Sequence, residues 1–214
     1  MRMPNFHNIV KRLRRRDQRG AAMVEFAIAL PILVVLLAIV FDAGLGFNSA
    51  RTSSSAARSA ARVGALAGDD RLADFRVLDA LRSQFTSDQE VDRIIIYRSD
   101  STNGDGLPPA PGSCTNPVSK CNEYLGAVLD TLNQADFIGL ENAGTPTETC
   151  ASTSLDSNWC PLGRQDDADA FLGVYVESTS KPTIGAVSPD SFTLKDRAVF
   201  AFFFAPTPVP LAGP

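Results

Sequence analysis

The longest unbroken apolar pattern in the chain lies near its N-terminus, where residues 21–41 contain a single charged side chain, that of Glu25. As a helix, these 21 residues would be about 32 Å long, which is close to the hydrocarbon thickness of a bilayer. The pattern therefore predicts one membrane-spanning helix. Because a carboxylate is costly inside lipid, the position of Glu25 indicates a function or a partner for it.

A helical pattern continues beyond the apolar run. The segment that follows is rich in Ala and contains no Pro, so we expect the helix to reach about Ala67 and to end at Gly68. Small residues form one face of it: Ala56, Ala57, Ala60, Ala61, Gly64 and Ala65. That face would admit a close helix or sheet, either of the same domain or of another subunit. Arg51, Arg58 and Arg62 recur at intervals of seven and four and should form one exposed stripe.

Shorter amphipathic segments follow. The stretch "DDRLADFRVLDALRSQF" has apolar residues at helical spacing and predicts a second, core-facing helix that Asp69 or Asp70 would cap. Strands are predicted to start at Val91, Phe171 and Phe192, and a short helix at Asn122. Since these strands lack long helical crossovers, we expect an α+β fold with an antiparallel sheet that a helix covers on one face.

The charge is distributed unevenly along the chain. Residues 1–20 hold seven Lys or Arg and one acid, which gives +6, so the remaining residues must carry −10 to reach the total of −4. A basic segment directly before a single apolar run predicts a cytoplasmic N-terminus and an extracytoplasmic C-terminal part. The acidic body argues against nucleic acid as a partner.

All four cysteines, Cys114, Cys121, Cys150 and Cys160, lie in the part predicted to be outside the cytoplasm. Two disulfides are the simplest interpretation in an oxidising compartment. Four cysteines permit three pairings, and the short separations favour Cys114 with Cys121 and Cys150 with Cys160. A zinc site is the alternative, although the paired CxxC spacing is missing.

The junction "DQRGAAMVEF" places Gly20 directly before Ala21, and Glu25 is the fifth residue after that glycine. It resembles the processing site of type IV prepilins. More closely, "RGAAMVEFAIALPILVVLLAIVFDAG" is similar to the start of TadE-like proteins, the pilin-like pseudopilins of the tight-adherence (Flp-type) pilus. The resemblance, which extends over about residues 18–68, implies cleavage after Gly20 by a prepilin peptidase. It also implies a new N-terminus at Ala21 and the role of the pilin-type glutamate for Glu25.

The same resemblance implies a pilin-like fold, with a long, partly transmembrane helix leading into a small extracytoplasmic domain. The implied partners are the prepilin peptidase, other pilin-like subunits, the pilus assembly platform and the lipid bilayer. Ala21 differs from the large apolar first residue usual in type IV pilins, so the resemblance does not imply N-methylation of the new N-terminus. Two alternatives remain: an uncleaved signal anchor that carries a binding module, and a secreted domain, for which residues 48–50 form a poor cleavage site.

Little in the sequence would support catalysis. The only histidine, His7, precedes Gly20, so cleavage there would remove it and with it any His-dependent nucleophile pair or metal site. The loop with Asp100, Asn103, Asp105 and Gly106 resembles half of a calcium site, but an ordinary turn explains it equally well. We therefore expect neither an enzyme activity nor a cofactor.

These patterns and the family resemblance together predict five segments along the chain. They are a basic prepilin-type leader (1–20), a transmembrane helix (21–46), its extracytoplasmic continuation (47–68), an extracytoplasmic α+β domain (69–206) and a Pro-rich tail (207–214). We expect a single-pass bacterial membrane protein that acts in pilus assembly or adhesion.

Overall fold

A computed structural model describes most of the chain. The described residues are 6–85, 89–99, 106–115, 117–138, 150, 154–167, 171–181 and 191–201. They belong to two compact units, and the division falls within the first helix, between Gly46 and Phe47.

The first helix, α1, spans Phe6–Ala67 and has 62 residues. It begins earlier than the predicted start at Ala21, because the basic segment from Phe6 onward has no Pro or Gly before Gly20 and is rich in good helix formers. Its end agrees with the prediction. Gly68 has a φ of +54°, a conformation that glycine adopts without a Cβ clash, and its N–H donates to the carbonyl of Gly64 at 3.1 Å.

The second helix, α2, spans Ala73–Arg82. Its buried residues include Val77, Leu78 and Leu81, so the prediction of a core-facing helix is confirmed. The predicted cap is wrong, because the N-cap position is Leu72 and no side chain caps it. Asp70 instead orders the preceding turn, where its carboxylate accepts a hydrogen bond from the Leu72 N–H at 2.8 Å.

Four antiparallel strands form one sheet in the order β2-β1-β3-β4. They are β1 (Gln89–Ser99), β2 (Cys121–Leu125), β3 (Phe171–Ser180) and β4 (Phe192–Ala201). Three of them, and the α+β class, were predicted. The helix predicted from Asn122 is wrong: β2 occupies that position, and a 3-10 turn, Gly126–Leu129, follows it.

The described remainder consists of short helical turns and of segments that are neither helix nor strand, such as residues 106–115. The helical turns are α3 (Ala135–Ile138) and the 3-10 turns Pro117–Ser119, Ser157–Trp159 and Pro161–Asp167.

The main core lies on one face of the sheet, between the strands, α2 and the small-residue face of α1. The sheet contributes Ile94 and Ile96 from β1 and Leu172, Val174 and Val176 from β3. A smaller cluster lies on the opposite face and contains Ile95, Tyr97, Cys114, Cys121 and Tyr175. The sheet is therefore buried on both faces near its centre, as expected for a small domain that must bury apolar area on each side.

Candidate functional site

The predicted processing junction lies within α1. Gly20 and Ala21 are part of its helical backbone, and Glu25 follows about one turn later on an exposed surface. The large apolar side chains from Met23 to Phe41 are exposed as well. A continuous apolar surface of this kind is unfavourable in water and requires lipid or partner helices. By length and composition, Ala22–Ala67 contains one candidate membrane span.

The small-residue face of α1 packs against the chain's own sheet and α2. Its five alanines are completely buried: Ala56, Ala57, Ala60, Ala61 and Ala65. A Cβ added at Gly64 would collide with the side chains of Leu172 and Val77, so glycine permits this close approach. Of the two partners that the sequence left open for this face, the structure selects the domain itself. Arg51, Arg58 and Arg62 are exposed, as predicted.

A buried polar network centres on Asp74 of α2. One carboxylate oxygen lies 2.7 Å from Nη1 of Arg164, and both side chains have no exposed surface. The other oxygen accepts hydrogen bonds from the Tyr124 hydroxyl at 2.8 Å and from Nδ2 of Asn122 at 2.7 Å. Burial, followed by the nearby carboxylates of Asp74 and Asp156, raises the pKa of Tyr124 well above its usual value, so its hydroxyl stays a donor.

Trp159 connects this network to the segment that contains the second disulfide. The backbone N–H of Trp159 donates to Oδ1 of Asn122 at 2.8 Å. Its backbone carbonyl accepts hydrogen bonds from Nδ2 of Asn122 at 2.9 Å and from Nη2 of Arg164 at 3.1 Å. The Arg164 guanidinium also stacks 4.1 Å from the centroid of the indole ring. These contacts fix residues 157–164 against β2.

A second ion pair borders the network: Nη1 of Arg71 lies 2.7 Å from Oδ2 of Asp156. Burial and the like charge of Asp74 raise the pKa of the Asp156 carboxyl, while Arg71 opposes that shift. The network is thus enclosed, and its charges neutralise one another. It joins α2, β2 and residues 157–164 within the fold. Within the described ranges, no group of three or more His, Cys, Asp or Glu residues could hold a metal ion.

The structure contains both favoured disulfides. Cys114 is bonded to Cys121 and Cys150 to Cys160. The two stapled segments contact each other, because Nδ2 of Asn158 donates to the Cys114 carbonyl at 2.7 Å.

Comparison with protein families gives one result, and it concerns α1. Residues 20–62 match the TadE-like protein family. No curated protein and no solved structure gives a significant match.

The TadE-like segment contains the three residues singled out at the predicted junction and ends within the small-residue face. It begins at Gly20, includes Ala21 and Glu25, and stops at Arg62. The suspected resemblance to TadE-like proteins, a family associated with the Tad pilus, is thereby confirmed over residues 20–62. The candidate span supports membrane anchoring. The TadE-like match does not extend to α2, the sheet or the disulfides.

The remaining site predictions have different outcomes. Three residues of the possible calcium loop, Asp100, Asn103 and Asp105, lie outside the described residues.

Sequence reasoning missed the pairing of Asp74 with Arg164, because residues so far apart in the chain give no spacing signal. Arg164 belongs to "GRQDDADA", a stretch whose acids suggest a solvated loop.

Proposed function

We propose that this chain is a pilin-like membrane protein, a pseudopilin, of a tight-adherence pilus. It is cut after Gly20 by a prepilin peptidase and takes part in pilus assembly or adhesion without an enzymatic step. The observation that carries the proposal is the TadE-like match, which starts at the proposed cleavage site and continues through the exposed apolar part of α1.

The charge distribution supports a definite orientation. Seven Lys or Arg within residues 1–20 precede the apolar run and would hold the leader on the cytoplasmic side. The domain that follows would then lie outside the membrane, where two disulfides can form and persist. In this arrangement α1 anchors the protein, and the α+β domain is available to other pilus components.

Glu25 is the residue that cleavage would convert into an assembly contact. Removal of the leader creates an α-ammonium at Ala21, and the same group of a neighbouring subunit, displaced along the membrane normal, would lie beside Glu25. In a low-dielectric surrounding such a pair is favoured, whereas each charge alone is penalised. The carboxylate would therefore set the register between subunits. In the alternative, Glu25 extends to the headgroups and has no such role.

A second candidate function is a signal-anchored extracytoplasmic binding module without a filament role. It is favoured by one observation, the end of the family match at Arg62, which leaves α2 and the sheet unassigned. The two candidates differ in what happens at Gly20, because only the first requires cleavage there.

The deciding experiment is the intact mass and N-terminal sequence of the protein extracted from membranes that contain the cognate peptidase. We expect a chain that begins at Ala21, and a chain that begins at or near Met1 would favour the signal anchor. Gly20→Val should block shortening, because a side chain at this position obstructs the approach of the peptidase. Gly44→Val is the matched control, since this glycine lies in the same helix with no neighbouring atom near its Cβ position.

A further inference from the structure

Residues 154–164, which we call the docked segment, lie against α2 and β2 without joining the sheet. They contain the 3-10 turn Ser157–Trp159 and the first part of the turn Pro161–Asp167. None of the described strands pairs with them, and a backbone hydrogen bond from the Leu155 N–H to the Asp136 carbonyl, at 3.2 Å, joins them to α3. Contacts that involve side chains therefore hold the segment in place.

Most of those contacts are between charged or polar groups. Arg164 pairs with Asp74, and Asp156 of the same segment pairs with Arg71. If the segment moved away, water would hydrate these charges again, so the ion pairs add little net free energy to docking. Of the segment's side chains, only that of Trp159 belongs to the main core. Its burial must offset the conformational entropy that the ordered segment loses, so docking needs a further constraint.

The Cys150–Cys160 disulfide is such a constraint. The two cysteines are ten positions apart, and the ring that they close contains Trp159. The cross-link reduces the number of conformations open to the undocked segment, so it shifts the equilibrium towards the docked one. The state of this one bond should therefore decide whether the buried charge of Asp74 has its partner.

We propose that the Cys150–Cys160 disulfide is a redox-controlled latch for the docked segment. In the oxidised chain the segment covers Asp74, which has no exposed surface. A dithiol reductant supplies two electrons and two protons: the Sγ–Sγ bond breaks, two thiols form, and the reductant becomes a cyclic disulfide. The segment then undocks as a unit, and water reaches Asp74. The latch goes beyond the proposed function, because it requires neither cleavage after Gly20 nor any pilus component.

The rest of the domain keeps its fold when the latch opens. The other members of the main core lie on α1, α2, α3, all four strands and the Gly126–Leu129 turn, and the hydrogen bonds of the sheet do not involve the docked segment. Undocking is therefore local, as expected of a segment with few apolar contacts. A chain whose domain stayed in a reducing compartment would retain an open latch.

Tryptophan fluorescence tests the latch, because Trp159 is the only tryptophan of the chain and is 3% exposed when docked. The variant Cys150→Ser with Cys160→Ser is measured as the detergent-solubilised full chain. We expect its emission to shift to longer wavelength and its acrylamide quenching constant to rise about threefold or more, while the far-UV circular dichroism stays that of the parent. Dithiothreitol treatment of the parent, continued until alkylation modifies all four cysteines, should give the same change.

The matched control is Cys114→Ser with Cys121→Ser, which also removes one disulfide. That bond belongs to the smaller cluster on the other face of the sheet and does not enclose Trp159. Its loss should leave the indole as shielded from acrylamide as in the parent. Three results would each overturn the latch: an indole that stays shielded without Cys150–Cys160, equal exposure in the two double variants, or loss of the far-UV signal together with exposure.

Discussion

Two carboxylates of this chain occupy positions where a charge is costly, and they differ in what balances that cost. Asp74 is completely buried, but an arginine and two hydrogen-bond donors surround it. Glu25 is exposed within an apolar segment whose natural surrounding is lipid. A buried charge with partners inside the fold contributes to structure, whereas a charge without them in lipid indicates a partner outside the chain.

Glu25→Gln tests that distinction, because it removes the charge and keeps the size. We expect the variant to insert, to be processed and to form its disulfides, yet to fail to co-purify with pilin partners, since a neutral amide cannot pair with an α-ammonium. Glu90→Gln, a change at an exposed strand residue, is the matched control. Normal co-assembly and piliation of Glu25→Gln would leave the headgroup-facing alternative as the better account.

Arg164→Met tests the buried network. Removal of the guanidinium leaves the Asp74 carboxylate buried without its counter-charge, and we expect a loss of about 3–5 kcal/mol in the free energy of unfolding. The double variant with Asp74→Asn should recover part of that loss, because no uncompensated charge remains. Urea unfolding of the detergent-solubilised chain, followed by circular dichroism, measures both.

The control for this series is Arg197→Met, an exposed change that should stay within about 0.5 kcal/mol of the parent. If Arg164→Met were no more destabilising than this control, the ion pair would contribute little to the fold. Neither partner was predictable as a partner from the sequence. Asp74 was one polar position of an amphipathic helix, and only the docking of the Ser157–Trp159 turn against β2 brings Arg164 to it.

At the scale of elements, the sequence predicts what depends on local periodicity and misses what depends on a distant neighbour. The long helix, α2 and three strands have clear periods of their own. The segment from Cys121 to Leu125 does not, and the Leu, Ala and Val residues that continue from it to Leu132 resemble a short helix. It forms a strand because β1 offers an edge, where Tyr97 is paired with Cys121 and Ile94 with Tyr124. Such pairing overrides local preference.

The contact between α1 and the sheet gives the prediction at this scale. Gly64→Ala places a Cβ against Leu172 and Val77, and we expect a loss of about 1–3 kcal/mol in domain stability from overpacking. Gly44→Ala is the matched control, because it is the same substitution in the same helix where nothing lies near the added carbon. Thermal or urea unfolding should separate the two. Equal stability would mean that the helix and the sheet are not closely packed at this glycine.

For the whole molecule, the sequence joins three features in a fixed order: a basic N-terminal segment (the proposed leader, residues 1–20), one apolar segment and a domain that contains every cysteine. The proposed orientation connects them, because the leader would decide on which side of the membrane the cysteines meet an oxidant. The charge of residues 1–20 should therefore determine whether the four cysteines of the domain are oxidised to disulfides.

Charge reversal in the leader tests this connection. With Arg14, Arg15 and Arg16 changed to Glu, the leader loses its cationic excess, and we expect a fraction of the chains to keep the domain in the cytoplasm with reduced cysteines. Alkylation under denaturing, non-reducing conditions should modify no thiol in the parent and four in the retained fraction. Reversal of Lys181, Lys195 and Arg197 changes the charge equally outside the leader, and it should leave both disulfides formed. If the cysteines of the leader variant remained fully oxidised, the leader would not set the orientation. If all four cysteines of the parent reacted as thiols, the parent would contain no disulfides, and the disulfides could no longer support an extracytoplasmic domain.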